Sequence, residues 1–291
     1  MIPDDLAQEL RYIELETARR IRSLRAGVHT SRLAGDGVDF DRHRHYQAGD
    51  DVRRIDWNVT ARSGQAFVRQ MYAERELDLV LAIDLSRSMN MASSGRSKRE
   101  ALMRVAASLV FSAAADQIRT GFVAFTDRVV HWVPPTAKRR RAWTALSEVY
   151  AIDAAPGPTR LAPAIHHLLR SLKRLALVVI VSDFLIHEQL SSTAELGILA
   201  SRHDVTAVVL SDQFETRLPE GSGFVQVRDL ESGEERAVRL NDAVRARFAA
   251  TVERRREDLV RCCYGMGIEP ILVDAAGDVV TPLIALFERR R

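Results

Sequence analysis

The sequence predicts an α/β fold: a Rossmann-like, doubly wound, mostly parallel sheet, with an N-terminal helical and irregular extension and a small β annex. Two observations carry this. Nearly unbroken apolar runs recur at Leu79–Ile83, Leu175–Val181 and Val205–Leu210, as expected of strands buried on both faces. Between them lie longer segments whose apolar residues follow helical spacing, and strand alternating with helix makes a parallel sheet covered on both sides. With 291 residues, the chain has material for about two domains. The texture divides it into 1–76 and 77–291, the second with a β-hairpin insertion at about 214–240.

Residues 4–25 predict a helix, with Leu6, Leu10, Ile13, Ile21 and Leu24 at helical spacing, stopped by Gly27. From Gly27 to Gly64 the chain is polar and has too few apolar residues for a core of its own. Ala66–Tyr72 alternates and reads as a half-exposed strand. After the strand at 79–83, a helix is expected over 97–117, with Leu102, Val105, Leu109 and Val110 inward. Strands at 122–125 and 129–133 join across Thr126 and Asp127. Helices over 138–149 and 160–172 follow, Pro163 being tolerable in a first turn. The strand at 175–181 leads to a helix over 190–202 and the strand at 205–210. Phe224–Val227 and Ala237–Leu240 flank Glu231–Glu234, which reads as a hairpin turn. A long helix over 241–264 turns Val244, Phe248, Val252 and Leu259 inward. A strand at 268–273 and a short helix at 279–288 close the chain. The strand at 66–72 and the hairpin at 224–239 are expected to form the β annex together.

Composition excludes several classes. A 46% hydrophobic and 28% charged chain is an ordinary globular one, not a disordered one. Its 2 cysteines are the neighbours Cys262 and Cys263, which cannot staple a scaffold or cage a zinc ion, so they read as core packing in a reducing compartment. The longest apolar run, Leu175–Val181, falls far short of the roughly 20 residues of a membrane span. The start, MIPDDLAQEL, lacks the basic stub and apolar stretch of a signal peptide. A cytoplasmic protein with no membrane span is expected. The net charge of +3 is mild, and the basic runs Lys138–Arg141 and Arg289–Arg291 have no aromatic platform beside them, so nucleic acid is not expected as a partner.

In parallel sheets, ligands bind beyond the carboxyl ends of the strands. Past Leu79–Ile83 stands Asp84-Leu85-Ser86-Arg87-Ser88; past Leu175–Val181 stand Ser182 and Asp183; Gly157-Pro158-Thr159 precedes the helix at 160. These are oxygen donors without histidine or cysteine, which suit a hard cation such as Mg²⁺, with Mn²⁺ as a substitute. Few formal charges face the ion, so it keeps residual positive charge and an exchangeable position that a carboxylate can fill.

Asp84-x-Ser86-x-Ser88, Thr159 and Asp183 resemble the metal-ion-dependent adhesion site of von Willebrand factor A domains. Phe184 stands where many of those domains have glycine. Gly35-Asp36-Gly37, Arg44-x-Tyr46-x-x-Gly49-Asp50-Asp51-x-Arg53-x-Ile55-Asp56-Trp57 and Ala61-Arg62 resemble the signature of a bacterial family catalogued as domain of unknown function 58. So do Ser182-Asp183-Phe184-Leu185, Arg202-His203-Asp204-Val205 and the hairpin from Asp229 to Glu234. The resemblance implies a von Willebrand factor A-like domain with Asp84, Ser86, Ser88, Thr159 and Asp183 as metal ligands. It also implies partnership with a MoxR-type AAA+ ATPase in chaperone-like assembly or maturation of a client protein. Many relatives carry N-terminal membrane spans; this chain resembles the soluble subgroup.

The acids and arginines of Gly49–Trp57 read as a structural knot of ion pairs, with Trp57 buried against the sheet, and His43 and His45 as part of an exposed polar loop. The expectation is a non-enzymatic, metal-dependent interaction adaptor. The alternatives are a metal-dependent phosphohydrolase, which would want a second aspartate where Ser86 stands, and a nucleic-acid binder using the basic tail. The chain has no Walker phosphate loop, no Gly-x-Gly-x-x-Gly and no nucleophile elbow.

Overall fold

The apolar runs assemble into a six-stranded sheet in a computed structural model that describes residues 34–47, 50–72, 78–93, 95–115, 117–153, 158–185, 194–230, 233–279 and 281–283. The expected helix at 4–25 lies outside the described residues. Those up to Tyr72 belong to one compact unit and those from Asp78 onward to another.

In the first unit, β1 (Ala34–His45) pairs antiparallel with β2 (Phe67–Tyr72). Between them α1 (Trp57–Ser63) begins at Asp56, whose carboxylate accepts from the backbone N–H groups of Asn58 and Val59. It ends at Gly64, which takes the left-handed φ of 70° that a helix stop favours. The polar stretch read as irregular therefore contains a strand: β1 is stabilised by β2, a partner distant in sequence. Two acids of Gly49–Trp57 are paired, with residues of β1 rather than with arginines of the segment itself. Arg44 grips both oxygens of Asp50 at 2.7 and 2.6 Å, and His43 Nε2 meets Asp56 Oδ2 at 2.9 Å. Two expectations are corrected. His43 and His45 lie on a strand rather than an exposed loop, with the His45 ring 4.4 Å from that of Phe67. Trp57 is 68% exposed, because it occupies the first turn of a two-turn helix in which no residue is buried.

The second unit is built on the sheet order β10-β7-β6-β3-β4-β5: β3 (Asp78–Asp84), β4 (Arg119–Phe125), β5 (Val129–Thr136), β6 (Ala176–Ser182), β7 (Asp204–Ser211) and β10 (Glu269–Asp274). All neighbours are parallel except β4 and β5, which form a hairpin. Every residue of β3 is buried, as its apolar run predicts. At the β4–β5 hairpin, Gly121 passes so close to the partner strand that a Cβ would lie 2.9 Å from both Pro135 N and Val133 O. Pro134 and Pro135 fit on β5 because it is the sheet edge, where missing donors go unnoticed.

Helices cover both faces. On one, α2 (Lys98–Ala115) and α3 (Arg139–Tyr150) pack Leu102, Val105, Val110, Leu146 and Val149 against Leu81 and Ile83. On the other, α4 (Ala162–Ser171) and α5 (Ala194–Arg202) pack Ile165, Leu168 and Leu199 against Val80, Val178 and Ile180. The short α6 (Gln213–Thr216) follows β7. The long α7 (Asp242–Gly265) half-buries Val244, Phe248, Val252 and Leu259, and only Cys263 is fully buried along it. At the C-terminal end helix is present at 281–283, and the remainder of the expected 279–288 helix lies outside the described residues.

The insertion is the hairpin expected, β8 (Gly223–Arg228) with β9 (Glu235–Leu240). The single β annex is corrected: β8–β9 and β1–β2 are separate two-stranded sheets. Alternation marks a strand but does not say which strand it meets, since backbone hydrogen bonds carry no sequence label.

Candidate metal centre

From β3 the chain runs outward through β4 to β5, then returns to the other side of β3 to lay down β6, β7 and β10. The carboxyl ends of β3 and β6 therefore flank the point where strand order reverses, where open parallel sheets bind their ligands. Asp84 is the last residue of β3; Ser182 is the last of β6 and Asp183 follows it.

Asp84 is fully buried. Its Oδ1 accepts from the Ser86 backbone N–H at 2.8 Å, and its Oδ2 accepts from the Ser182 hydroxyl at 2.6 Å. The hydroxyls of Ser86 and Ser88 lie 3.0 Å apart, both buried. The two-residue spacing places them together because the chain turns into a 3₁₀ helix over Arg87–Asn90 as it leaves the strand. Thr159 is buried in the loop before α4. The next residue, Arg160, donates its N–H to the Thr126 carbonyl at 2.9 Å, which pins that loop beside the end of β4. Phe125, at that end, is the register partner of Asp84. All five predicted ligands thus lie on the carboxyl-end edge of the sheet.

Asp183 is buried and doubly held. Its Oδ1 accepts from the Leu185 N–H at 3.0 Å, and its Oδ2 accepts from the Lys98 ammonium at 2.6 Å. Phe184 adopts a left-handed φ of 52°, a region that favours glycine. Its N–H donates to Ser182 Oγ at 2.9 Å, and its ring packs on the core beneath α4 and α5. These contacts offset a left-handed penalty of about 1–2 kcal/mol.

Electrostatics single out Asp84. Burial, and then the negative charge of Asp183, push its carboxyl up to about 7, against which the bonds from Ser182 and Ser86 work. A buried acid so burdened is a site short of positive charge. A carboxylate has about four lone-pair sites, and Asp84 accepts from the Ser182 hydroxyl, the Ser86 N–H and the Ser86 side chain, which leaves it acceptor capacity; the seryl oxygens beside it are further hard donors. The residues present fit a divalent cation held by Asp84, Ser86 and Ser88, with Thr159 and Asp183 at the flanks.

Sequence reasoning missed Lys98, Asp212 and Glu215. Lys98, the first residue of α2, is completely buried and bridges Asp183 to Glu215 on α6. Burial pushes its ammonium down, but Asp183 and Glu215 outweigh burial and hold it above the ordinary lysine value. Asp212 caps α6, and its Oδ2 accepts from the Ser93 N–H at 2.9 Å. The strand-end rule applied to Val205–Leu210 would have found Asp212. Lys98 carries no such signal, because a lysine at a helix start normally lies in solvent.

The DUF58 model, described as a protein of unknown function, matches residues 42–258. The chain belongs to this family. Among relatives of the DUF58 chain, it is 32% identical over 288 residues to the uncharacterized protein Rv1480 of Mycobacterium tuberculosis, covering 98% of this chain and 90% of that one. The uncharacterized protein MAV169 of Mycobacterium avium is 29% identical over 161 residues, covering 55% of this chain and 94% of its own. Similar solved structures include an aerotolerance-related membrane protein from Bacteroides fragilis, with a TM-score of 0.47 and 20% identity over 73% of this chain and 97% of that one. BatB from Bacteroides thetaiotaomicron also has a TM-score of 0.47, at 18% identity over 74% of this chain and 97% of its own. A von Willebrand factor type A protein from Catenulispora acidiphila has a TM-score of 0.44, at 12% identity over 75% of this chain and 42% of its own. Among the described residues, no helix is long and apolar enough to cross a membrane.

Proposed function

We propose that this DUF58 chain is a non-enzymatic, Mg²⁺-dependent interaction adaptor, active in the cytoplasm. It receives an acidic residue of a partner or client at the carboxyl-end edge of the sheet. It works there with a MoxR-type AAA+ ATPase in the assembly or maturation of other proteins. The observation that carries the metal reading is the buried Asp84 carboxylate at the switch point, flanked by two seryl oxygens and crowded by a second carboxylate. The ATPase partnership rests on the family resemblance.

The residues divide the work. Asp84 supplies the charge that attracts the cation, and Ser182 and the Ser86 N–H fix its two oxygens. Ser86 and Ser88 add neutral oxygens and Asp183 is already paired with the Lys98 ammonium, so Asp84 does not cancel a divalent charge by itself. Thr159 and Asp183 sit on separate loops, where a small shift can follow the arrival of a partner. A bound divalent ion supplies the residual positive charge that selects a carboxylate. An enzyme reading finds little here. Ser86 stands where a metal-dependent phosphohydrolase would want a second aspartate.

The test is calorimetric titration of the full chain with Mg²⁺ and with Mn²⁺, followed by pull-down of the MoxR-type ATPase in Mg²⁺ and in EDTA. Saturable ion binding lost in the double variant Asp84→Ala with Ser86→Ala, and capture that requires Mg²⁺, are expected. A chain that binds neither ion, or a partner retained equally in EDTA, rejects the metal-bridge reading.

A further inference from the structure

Beside the predicted ligands lies a second polar layer. Lys98 has no exposed surface, and its ammonium touches Asp183 of the β6 loop and Glu215 of α6. Glu215 closes a capping box with Asp212, accepting from the Asp212 N–H at 3.1 Å while the Asp212 side chain caps α6. Asp212 in turn holds Ser93 in the segment that leads from Ser86 and Ser88 to Lys98 itself. Ser97 and Glu100 bond reciprocally at the start of α2, at 2.8 and 3.2 Å, which fixes the turn carrying Lys98. The three loops that follow β3, β6 and β7 are thus tied into one ring through one ammonium.

A lysine ammonium is not buried without cause, since moving a lone charge from water into a protein interior is strongly unfavourable. It is also placed at the amino end of a helix, where the dipole disfavours a cation. What compensates is the pair of carboxylates. Asp183 then has two calls on its charge, the resident ammonium and an arriving divalent ion, and two cations that share one carboxylate repel each other.

Resting on the metal-centre reading above, we infer that Lys98 is the resident counter-cation of this edge. It is a positioning residue that holds Asp183 in the absence of a divalent ion and weakens the site's affinity for one. Glu215 is then the regulatory handle. By giving Lys98 a second partner it releases part of the claim on Asp183, so whatever engages Glu215 on the α6 loop tunes ion affinity through linkage. Its side chain is 16% exposed, within reach of a basic group on a partner.

The experiment measures Mn²⁺ and Mg²⁺ affinity by calorimetry on the full chain, in the wild type and in Lys98→Met and Glu215→Gln. Methionine has a comparable volume and no charge; glutamine keeps the acceptor for the Asp212 N–H. Lys98→Met is expected to bind at least about tenfold more tightly, since a like charge beside the ion is gone. It should also melt several degrees lower in EDTA, with a larger rise in melting temperature on adding Mg²⁺ than the wild type shows. Glu215→Gln is expected to bind several-fold more weakly, because the ammonium now has Asp183 alone. If Lys98→Met fails to fold, Glu215→Gln carries the test. Affinities equal to the wild type in the folded variants, or weakened in both, overturn the inference while the metal centre stands. No saturable binding in any of the three chains rejects the metal centre itself.

Discussion

Ser182 donates its hydroxyl to Asp84 Oδ2 at 2.6 Å, across the boundary between β6 and β3. This bond joins residues 98 positions apart at the point where strand order reverses, and it favours the charged form of a carboxylate that burial opposes. Ser182→Ala removes a charge-assisted bond and leaves Oδ2 without its donor. A loss of about 1–3 kcal/mol is expected, together with weaker Mg²⁺ binding. Chemical denaturation in EDTA and titration with Mg²⁺ check the two parts.

Asp84 makes stability depend on pH. Its folded value, about 7, exceeds the unfolded value near 4, so between these limits the folded chain holds the proton more firmly than the unfolded chain. Stability from this group is therefore full below about pH 4 and is lost as pH rises toward 7. In EDTA the wild type should lose melting temperature between pH 5 and pH 8 relative to Asp84→Asn, which has no charge to bury. Asp84→Asn should be the more stable chain at pH 8 by at least about 1 kcal/mol, or about 2 °C or more. Parallel melting curves for the two chains at both pH values would contradict this.

Gly121 is where β4 approaches β5 too closely for a side chain. The atoms in the way are the backbone of Val133 and Pro135 and the Pro135 ring, none of which can rotate aside. Gly121→Ala is expected to destabilise the chain by about 1–3 kcal/mol. The readout is the midpoint of urea unfolding; an unchanged midpoint would mean that the hairpin edge yields freely.

The two thiols differ although they are neighbours. Burial, and then Cys262, push the Cys263 thiol up to about 11, so it carries almost no thiolate at pH 8. Cys262 is half-buried, and burial raises it as well. One slowly reacting thiol is expected in the native chain under iodoacetamide at pH 8 and two in denaturant. Mass spectrometry that finds Cys263 alkylated in the native state would refute the packing of α7 against the sheet.

In the first unit, Asp56 both caps α1 and meets His43. Asp56→Ala removes the cap at a cost of about 1–2 kcal/mol to local stability. Faster hydrogen exchange over Trp57–Ser63, with the second unit's amides unchanged, is the expected signature.

Local chemistry alone determined much of this DUF58 chain. The runs at Leu79–Ile83, Leu175–Val181 and Val205–Leu210 are apolar throughout because both faces of a covered sheet exclude water, and that property belongs to each segment alone. The Asp84-x-Ser86-x-Ser88 spacing is likewise local, since a strand end followed by a tight turn brings alternate residues together. Tertiary structure decided what depends on partners far apart in the chain. It paired β2 with β1 instead of the β8–β9 hairpin, it left Trp57 exposed, and it placed Phe184 in a glycine-like conformation. Above all it buried Lys98. A lysine at a helix start is written in the same letters whether it faces water or two carboxylates. Only the convergence of Asp183 and Glu215, 85 and 117 residues further along the chain, makes that burial tolerable.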